Sequence, residues 1–398
     1  MTCMNHHYTD VKESYLFADI RKRIDTWLKK NPGGKVLRLG IGDVTQPLMP
    51  SVIQALHEAV EDQTHAETFH GYMPECGDPG LRQAIAKWYQ QRDIPVEWEE
   101  VFISSGASDE LGDILHLFDR SLAAMIPEPA YPAYADANIM DGRKIIYPEI
   151  DADHGFMPVP PAEDIQALIY LCSPDNPTGA ACTRQCLEQW IEYAGRTGSV
   201  ILFDAAYESF VQEKNIPRSI YEIEGAKGCA IEISSLSKTA GFTGTRCGYT
   251  VIPLSLEREG LSLNKMWVRN RTTKTNGISY ILQKGALAVF SEQGQREAAE
   301  LREVYRRNAR NFMQALDEAG LSYTGGKNSP YIWMKCPDDH GSWETFDILL
   351  EKGQIVATPG AGFGESGEGW IRFSMFADEE DIREAGRRII FLRNEKYF

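Results

Sequence analysis

The chain has 398 residues, of which 43% are hydrophobic and 10% aromatic, and its formal net charge at pH 7 is -16. This composition supplies enough apolar surface for two packed domains and excludes a disordered chain. The negative charge argues against nucleic acid and against anionic membrane surfaces as partners, because both repel an acidic protein.

The N-terminus and the cysteines predict a cytoplasmic protein. The first residues contain no positively charged segment followed by an apolar run, so we expect neither a signal peptide nor a membrane anchor. No later apolar run is long enough to span a bilayer. The eight Cys are scattered, which predicts reduced thiols rather than a disulfide framework. Cys182 and Cys186 have helical i,i+4 spacing but no second ligand pair nearby, so we expect no metal site.

The first two-thirds of the chain predict an α/β fold. Residues 12–30 indicate an amphipathic helix. From Gly34 to Tyr249, apolar β-rich runs alternate with helix-period stretches, which is typical of a mainly parallel seven-stranded sheet covered on both faces. The helix after Thr183 would cross between two of these strands. The predicted strands are 101–104, 123–128, 144–150, 167–173, 200–206, 229–235 and 248–253.

The last third predicts a second, smaller α+β domain. A long helix-rich stretch follows Pro253, and the strands 332–335, 354–359 and 370–376 then alternate with short helices. We therefore predict three parts. They are an N-terminal segment that joins the small domain (1–45), a large α/β domain (46–295) and a small C-terminal α+β domain (296–398).

The most informative motif is the run SLSKTAGFTGTR at 235–246. A lysine such as Lys238 at the end of a buried strand is costly to keep charged, so its neutral amine can attack an aldehyde and form a Schiff base. The hydroxyls of Ser235 and Ser237 and the guanidinium of Arg246 are donors suited to a phosphate dianion. Taken alone, the run could also be an ordinary surface loop with one lysine.

Three further motifs precede it. Asp204 ends an apolar strand, where open α/β sheets place ligand chemistry, and a buried carboxylate there would keep a pyridine ring protonated. Tyr207 could then hydrogen-bond the phenolic oxygen of the same ring. Asn176 precedes a proline in NPTG, and the run GASDE at 106–110 opens a helix whose free N–H groups favour an anion. Each motif is weak alone, and their order within one α/β domain carries the inference.

This order of motifs resembles the fold-type I, aspartate-aminotransferase-like enzymes that depend on pyridoxal 5′-phosphate (PLP). The resemblance implies that Lys238 binds PLP covalently, that Asp204 pairs with its pyridine nitrogen and that Asn176 and Tyr207 contact its phenolic oxygen. Tyr131 would stack on the ring, and Arg372 would bind the substrate α-carboxylate. The family's active sites lie between two subunits, which implies a homodimer. The implied phosphate contacts are Ala107, Ser108, Ser235, Ser237, Arg246 and, from the partner subunit, Tyr72.

A narrower resemblance is to the LL-diaminopimelate aminotransferases of lysine biosynthesis, through runs such as RLGIGDVTQPL, KTAGFTGTRC and TPGAGFGESGEGWIRFS. It implies a substrate with an amino acid head at each end, which exchanges its amino group with 2-oxoglutarate and gives tetrahydrodipicolinate and glutamate. Glu75 would pair with the distal ammonium group. The implied substrate-binding residues are Tyr15, Gly42, Glu75, Tyr131, Asn176, Asn276 and Arg372.

One position departs from that resemblance, and it keeps alternatives open. Ser108 stands where the narrower family has a lysine, which weakens the grip on a distal carboxylate. The chain could therefore act on another amino acid. A PLP-dependent β-lyase is a further alternative, since the fold does not decide which bond at Cα breaks, and a non-catalytic PLP-binding regulator is disfavoured by the absence of a basic segment.

Overall fold

The computed structural model describes residues 2–11, 16–148, 150, 152–337 and 340–397. Within these residues the strands are β1 (Leu37–Arg38), β2 (Val101–Ser104), β3 (Ala123–Met125), β4 (Ile145–Ile146), β5 (Ala167–Cys172), β6 (Val200–Asp204), β7 (Ala230–Ser235), β8 (Gly248–Val251), β9 (Glu257–Arg258), β10 (Leu261–Ser262), β11 (Tyr323–Gly325), β12 (Tyr331–Lys335), β13 (Ile355–Val356), β14 (Thr358–Pro359) and β15 (Trp370–Ser374). The α-helices are α1 (Leu16–Lys30), α2 (Pro50–Asp62), α3 (Pro79–Gln90), α4 (Ala107–Asp113), α5 (Pro132–Asp141), α6 (Arg184–Thr197), α7 (Leu236–Ala240), α8 (Leu263–Lys274), α9 (Tyr280–Val289), α10 (Glu292–Glu318), α11 (Ser342–Gly353) and α12 (Glu379–Asn394).

Seven strands form the large sheet in the order β2-β8-β7-β6-β5-β3-β4. The pairs from β4 through β7 are parallel, and β8 is antiparallel to both of its neighbours. Each of the seven predicted strands is present, so the prediction of a mainly parallel seven-stranded α/β sheet is confirmed. Helix α6 runs between β5 and β6 and is the predicted crossover.

The alternation of β5 shows why this sheet is covered on both faces. Ala167, Ile169 and Leu171 belong to one hydrophobic cluster, and Leu168 and Tyr170 belong to another on the opposite face. All five side chains are buried. Because β5, β6 and β7 are parallel, their ends at Cys172, Asp204 and Ser235 lie along one edge of the sheet, where ligands of open α/β folds bind.

A second core surrounds the four-stranded antiparallel sheet β11-β12-β15-β14. The apolar face of α1 is part of this core through Leu16, Ile20, Ile24 and Trp27. Helix α10 contacts both cores, since its first half packs into the large one and its second half into the small one. The predicted division of the chain at 45 and 295 stays a prediction.

The segment 354–359 differs from the single strand that its apolar character predicts. It forms two short strands, β13 paired with β1 and β14 paired with β15, with Ala357 between them. The chain changes partners here because one half joins the N-terminal segment and the other joins the small sheet. The helix predicted over 12–30 is described from Leu16 onward, and its first four residues lie outside the described part of the chain.

The described residues offer neither a membrane-spanning helix nor a metal site. No helix there combines the length and the apolar character needed to cross a membrane. No group of three or more His, Cys, Asp or Glu side chains there could hold a metal ion.

Candidate active site

A cavity of about 350 Å³ lies at the carboxyl edge of the large sheet, where the small sheet and the N-terminal segment complete its wall. It brings together most of the residues that the sequence predicts for the site. The lining residues are Phe17, Ile41, Gly42, Asp43, Ala107, Ser108, Leu111, Tyr131, Tyr134, Asn176, Asp204, Ala206, Tyr207, Ser235, Ser237, Lys238, Thr243, Arg246, Tyr331 and Arg372.

Lys238 lies in the short helix α7, which begins directly after β7. Ser235 caps this helix, and its hydroxyl accepts the N–H of Ser237 at 3.1 Å. The Lys238 ammonium group donates to the carbonyl oxygen of Gly42. Burial lowers the pKa of Lys238 from 10.5 to about 8, and the nearby Asp43 carboxylate partly opposes this shift. A neutral, nucleophilic amine is therefore accessible near neutral pH.

The titration of Lys238 predicts a specific pH dependence of its reactivity. Its amine is protonated below about pH 8 and neutral above it. We expect a brief pulse of a small acylating reagent, applied to the cofactor-free protein, to modify Lys238 about ten-fold faster at pH 9 than at pH 7. The rate should then level off, whereas a lysine in water becomes steadily more reactive up to pH 10. Peptide mass spectrometry measures both, and continued growth of the Lys238 rate up to pH 10 would contradict the lowered pKa.

Arg246 makes one end of the cavity cationic. Its guanidinium donates to the Ser237 hydroxyl at 3.3 Å and to the Thr243 carbonyl at 3.4 Å. Gly106 has φ +132°, and a Cβ atom there would lie 2.4 Å from the guanidinium. Only glycine therefore leaves room for Arg246. Ala107 and Ser108 of the cavity wall follow at once in the first turn of α4, where a helix favours negative charge.

Asp204 supplies a buried carboxylate at the end of β6, and 6% of the residue is exposed. One oxygen accepts the Tyr134 hydroxyl at 2.6 Å, and the other accepts the backbone N–H of Ala206 at 2.9 Å. Burial raises the pKa of Asp204, and these two hydrogen bonds oppose that rise. Sequence reasoning missed Tyr134. The available signal was its position three residues after Tyr131, which places both residues at the start of α5.

Arg372 on β15 connects three segments of the chain. Its guanidinium donates to the Asn176 side-chain oxygen at 2.6 Å, to the Gly40 carbonyl at 2.7 Å and to the Thr358 hydroxyl at 3.4 Å. It lies 4.6 Å from the Tyr331 ring centroid. Arg372 is only 2% exposed, and its Nε has no hydrogen-bond partner among the described residues. This buried, oriented fork is suited to binding a carboxylate.

Tyr207 is held by a second tyrosine that sequence reasoning missed. Its hydroxyl and that of Tyr331 are 2.8 Å apart, and the two rings meet edge to face. Tyr331 also explains Gly42, because a Cβ atom at Gly42 would lie 2.2 Å from the Tyr331 hydroxyl oxygen. The run NSPYIWMK contains Tyr331, but the residue is an apolar strand position by pattern, so nothing in the sequence alone marks its polar role.

Three predicted residues are not in this cavity. Tyr72 is 88% exposed, and neither Glu75 nor Asn276 lines the cavity of the single chain. Tyr15 lies outside the described residues. The remaining predicted site residues are all in the cavity wall, and their roles stay predictions.

The family model and the relatives that match this sequence are all aminotransferases. The family model described as aminotransferase class I and II matches residues 34–389. The chain is similar to the LL-diaminopimelate aminotransferase of Lachnospira eligens, with 44% identity over 97% of this chain and 98% of that protein. The enzyme of the same name from Parabacteroides distasonis is also 44% identical, over 98% of this chain and 99% of that protein.

A solved structure with the same fold agrees with these sequence relatives. The L,L-diaminopimelate aminotransferase from Chlamydomonas reinhardtii superimposes with a TM-score of 0.93 at 36% identity, covering 100% of this chain and 99% of that one. A family match over most of the chain, a fold shared along its whole length and a lysine-bearing cavity at the expected sheet edge lead to one conclusion. The chain belongs to the class I and II aminotransferases and is an enzyme that transfers amino groups.

Proposed function

We propose that this aminotransferase uses PLP bound to Lys238 and interconverts LL-2,6-diaminopimelate and 2-oxoglutarate with tetrahydrodipicolinate and glutamate. The cofactor assignment depends on one observation, the convergence of Lys238, Asp204 and Arg246 around a single cavity. The substrate assignment is supported by relatives named for this activity at 44% identity over nearly the whole chain. We further propose a role in lysine biosynthesis, which the sequence resemblance implies.

The residues of the cavity suit PLP at each of its polar groups. Arg246, Ser235 and Ser237 would hold the phosphate, at the end of the cavity where Gly106 leaves room for the guanidinium. Asp204 would accept a hydrogen bond from the protonated pyridine nitrogen. The remaining cofactor contacts would be Tyr207 and Asn176 on the phenolic oxygen, Tyr131 on the ring face, and Ala107 and Ser108 beside the phosphate. When bound, PLP supplies an electron sink for the bond that breaks at the substrate Cα.

The chain's own groups then have separate tasks. Arg372 binds the α-carboxylate bidentately and so fixes the substrate's orientation. Asn176, which already accepts a hydrogen bond from Arg372, keeps that guanidinium aimed. Lys238 accepts the Cα proton on its neutral amine, which its lowered pKa makes available. Asn176 and Arg372 are buried and Lys238 is half-buried, which limits the access of water to the reacting carbon.

Recognition of the distal end of the substrate extends beyond this cavity. Tyr72, Glu75 and Asn276 do not line it in the single chain. We propose a homodimer in which Tyr72 reaches the phosphate of the partner's cofactor, with Tyr15, Gly42, Glu75, Tyr131 and Asn276 around the substrate. The exposed ring of Tyr72 supports this arrangement. Eight free thiols support a cytoplasmic location.

Ser108 favours one second candidate, an aminotransferase of the same fold with another amino acid as substrate. The residue lies in the cavity wall and brings no charge to it. A distal carboxylate would therefore depend on other donors. A substrate without a distal carboxylate would lose no binding free energy from the absence of a positive charge at Ser108.

An absorbance titration separates these two candidates. The holoenzyme is mixed with LL-diaminopimelate, glutamate, aspartate, alanine and an aromatic amino acid, and the visible band of the bound cofactor is followed. We expect LL-diaminopimelate and glutamate to bleach the band at the lowest concentrations. A response to another amino acid alone would overturn the substrate assignment but would leave the assignment as an aminotransferase intact. Formation of pyruvate and ammonia would instead indicate a lyase.

A further inference from the structure

Tyr134 is a buried residue of the cavity wall that contacts the carboxylate at its centre. Its hydroxyl lies 2.6 Å from one oxygen of Asp204, and the tyrosine is 3% exposed. The other Asp204 oxygen accepts the Ala206 N–H at 2.9 Å. Each carboxylate oxygen therefore has one donor from the protein and retains capacity for a second.

The surrounding residues hold Tyr134 in this orientation. The backbone oxygen of Tyr134 accepts the Asn138 side-chain amide at 2.8 Å, and the same amide donates to the Tyr170 hydroxyl at 2.9 Å. The Tyr170 ring lies 5.2 Å from the Tyr134 ring. The Tyr131 ring meets it edge to face at 5.6 Å. Tyr134 is thus packed on two sides, and its hydroxyl has little freedom to turn away from Asp204.

The chemistry of the pair fixes the direction of its hydrogen bond. Burial, followed by the charge of Asp204, raises the pKa of Tyr134 well above 10, so its hydroxyl stays protonated and donates. A donated hydrogen bond favours the ionised carboxylate, which burial alone disfavours. The charge of Asp204 in turn helps burial to raise the pKa of two neighbouring groups, the Cys172 thiol and the Asp175 carboxyl.

We propose that Tyr134 is a positioning residue that holds Asp204 oriented and ionised, so that the carboxylate accepts the ring N–H of the cofactor. This inference rests on the proposed PLP site and assigns a role to a residue that does not itself react. It predicts that the Tyr134 hydroxyl acts on the cofactor through Asp204 alone.

The test compares Tyr134→Phe with Tyr170→Phe, a neighbouring buried tyrosine whose hydroxyl does not contact Asp204. The dissociation constant of PLP from each cofactor-free protein is measured by tryptophan fluorescence between pH 6 and 9. Loss of the donor raises the pKa of Asp204, so its carboxylate becomes protonated at a higher pH than in the unmodified protein. PLP binding should therefore begin to weaken at that higher pH. We expect Tyr134→Phe to weaken binding about ten-fold at pH 6. Tyr170→Phe should change it less than two-fold.

A double-variant comparison keeps the inference falsifiable. In an Asp204→Asn background no carboxylate remains to be held, so adding Tyr134→Phe should not weaken PLP binding further. If Tyr134→Phe alone does not fold, Asp204→Asn can still be compared with the double variant Asp204→Asn/Tyr134→Phe. Neither of these two proteins contains a buried carboxylate at position 204 that lacks a hydrogen-bond donor. An equal loss in both backgrounds, or no loss at all, would overturn the role of Tyr134. Failure of the unmodified protein to bind PLP would instead overturn the proposed function.

Discussion

Replacement of Lys238 by arginine is expected to lower kcat for amino-group transfer by at least about 1000-fold. Arginine keeps a positive charge at this position, but its guanidinium neither loses its proton near neutral pH nor bonds covalently to an aldehyde. Lys238 combines a cavity position with a pKa of about 8, and arginine removes both the anchor and the proton acceptor. The loss should appear in kcat with every amino acid, because it does not depend on substrate recognition.

The covalent part of this prediction has its own measurement. Borohydride treatment of the holoenzyme, followed by peptide mass spectrometry, should find the cofactor attached to Lys238. The Lys238→Arg protein should carry no attached cofactor after the same treatment, and thermal melting checks that it is folded. Lys265→Arg, at an exposed position on α8, is the matched control and should behave as the unmodified protein. Attachment at a different lysine in the unmodified protein would refute the assignment.

Arg372→Lys should lower kcat/KM for amino acids by about 100-fold. The ammonium group keeps the charge but cannot offer two parallel donors to one carboxylate. In the structure the guanidinium also satisfies the Asn176 side chain and the Gly40 carbonyl, both in the interior. A lysine would leave at least one of these acceptors without its donor, so a lower melting temperature should accompany the kinetic loss.

A substrate without an α-carboxylate separates binding from general damage. A primary alkylamine should react slowly with the unmodified enzyme and at nearly the same rate with Arg372→Lys, since neither protein binds a carboxylate in that reaction. Arg23→Lys, in an exposed ion pair with Asp347, controls for the loss of a guanidinium elsewhere. If amine and amino acid suffer alike, Arg372 supports the fold and does not bind the substrate.

The sequence predicts the large sheet well because buried parallel strands have a strong composition signal. The runs around Leu168 and Leu202 are apolar at nearly every position, and both are buried strands. The segment 354–359 is different, because the exchange of partners at Ala357 depends on where β1 and β15 lie. Pairing between distant parts of the chain has no local signature.

Some residues of the site are likewise predictable from the sequence and others are not. Three site residues are predictable because each is a polar residue at a strand end or in a turn: Lys238, Asp204 and Arg246. The strand ends of an open α/β sheet are where ligands bind, so polar residues there indicate a site. Tyr134 and Tyr331 are not predictable, since a tyrosine in a helix or a strand is usually a core residue. Their hydroxyls acquire a role only when β6 and β12 bring Asp204 and Tyr207 within reach.

Helix α10, with 27 residues, extends for about 40 Å and packs against both cores. The hydroxyl of Tyr305 on this helix also accepts the N–H groups of Thr45 and Gln46, each at 3.0 Å, just after the loop of Gly42. None of its residues lines the cavity. It nevertheless packs against the core beneath Lys238 and against the core that includes the strand of Arg372. We therefore expect substitutions on α10 to change how these two residues are placed relative to each other, and so to change substrate selectivity without altering any residue that the substrate contacts.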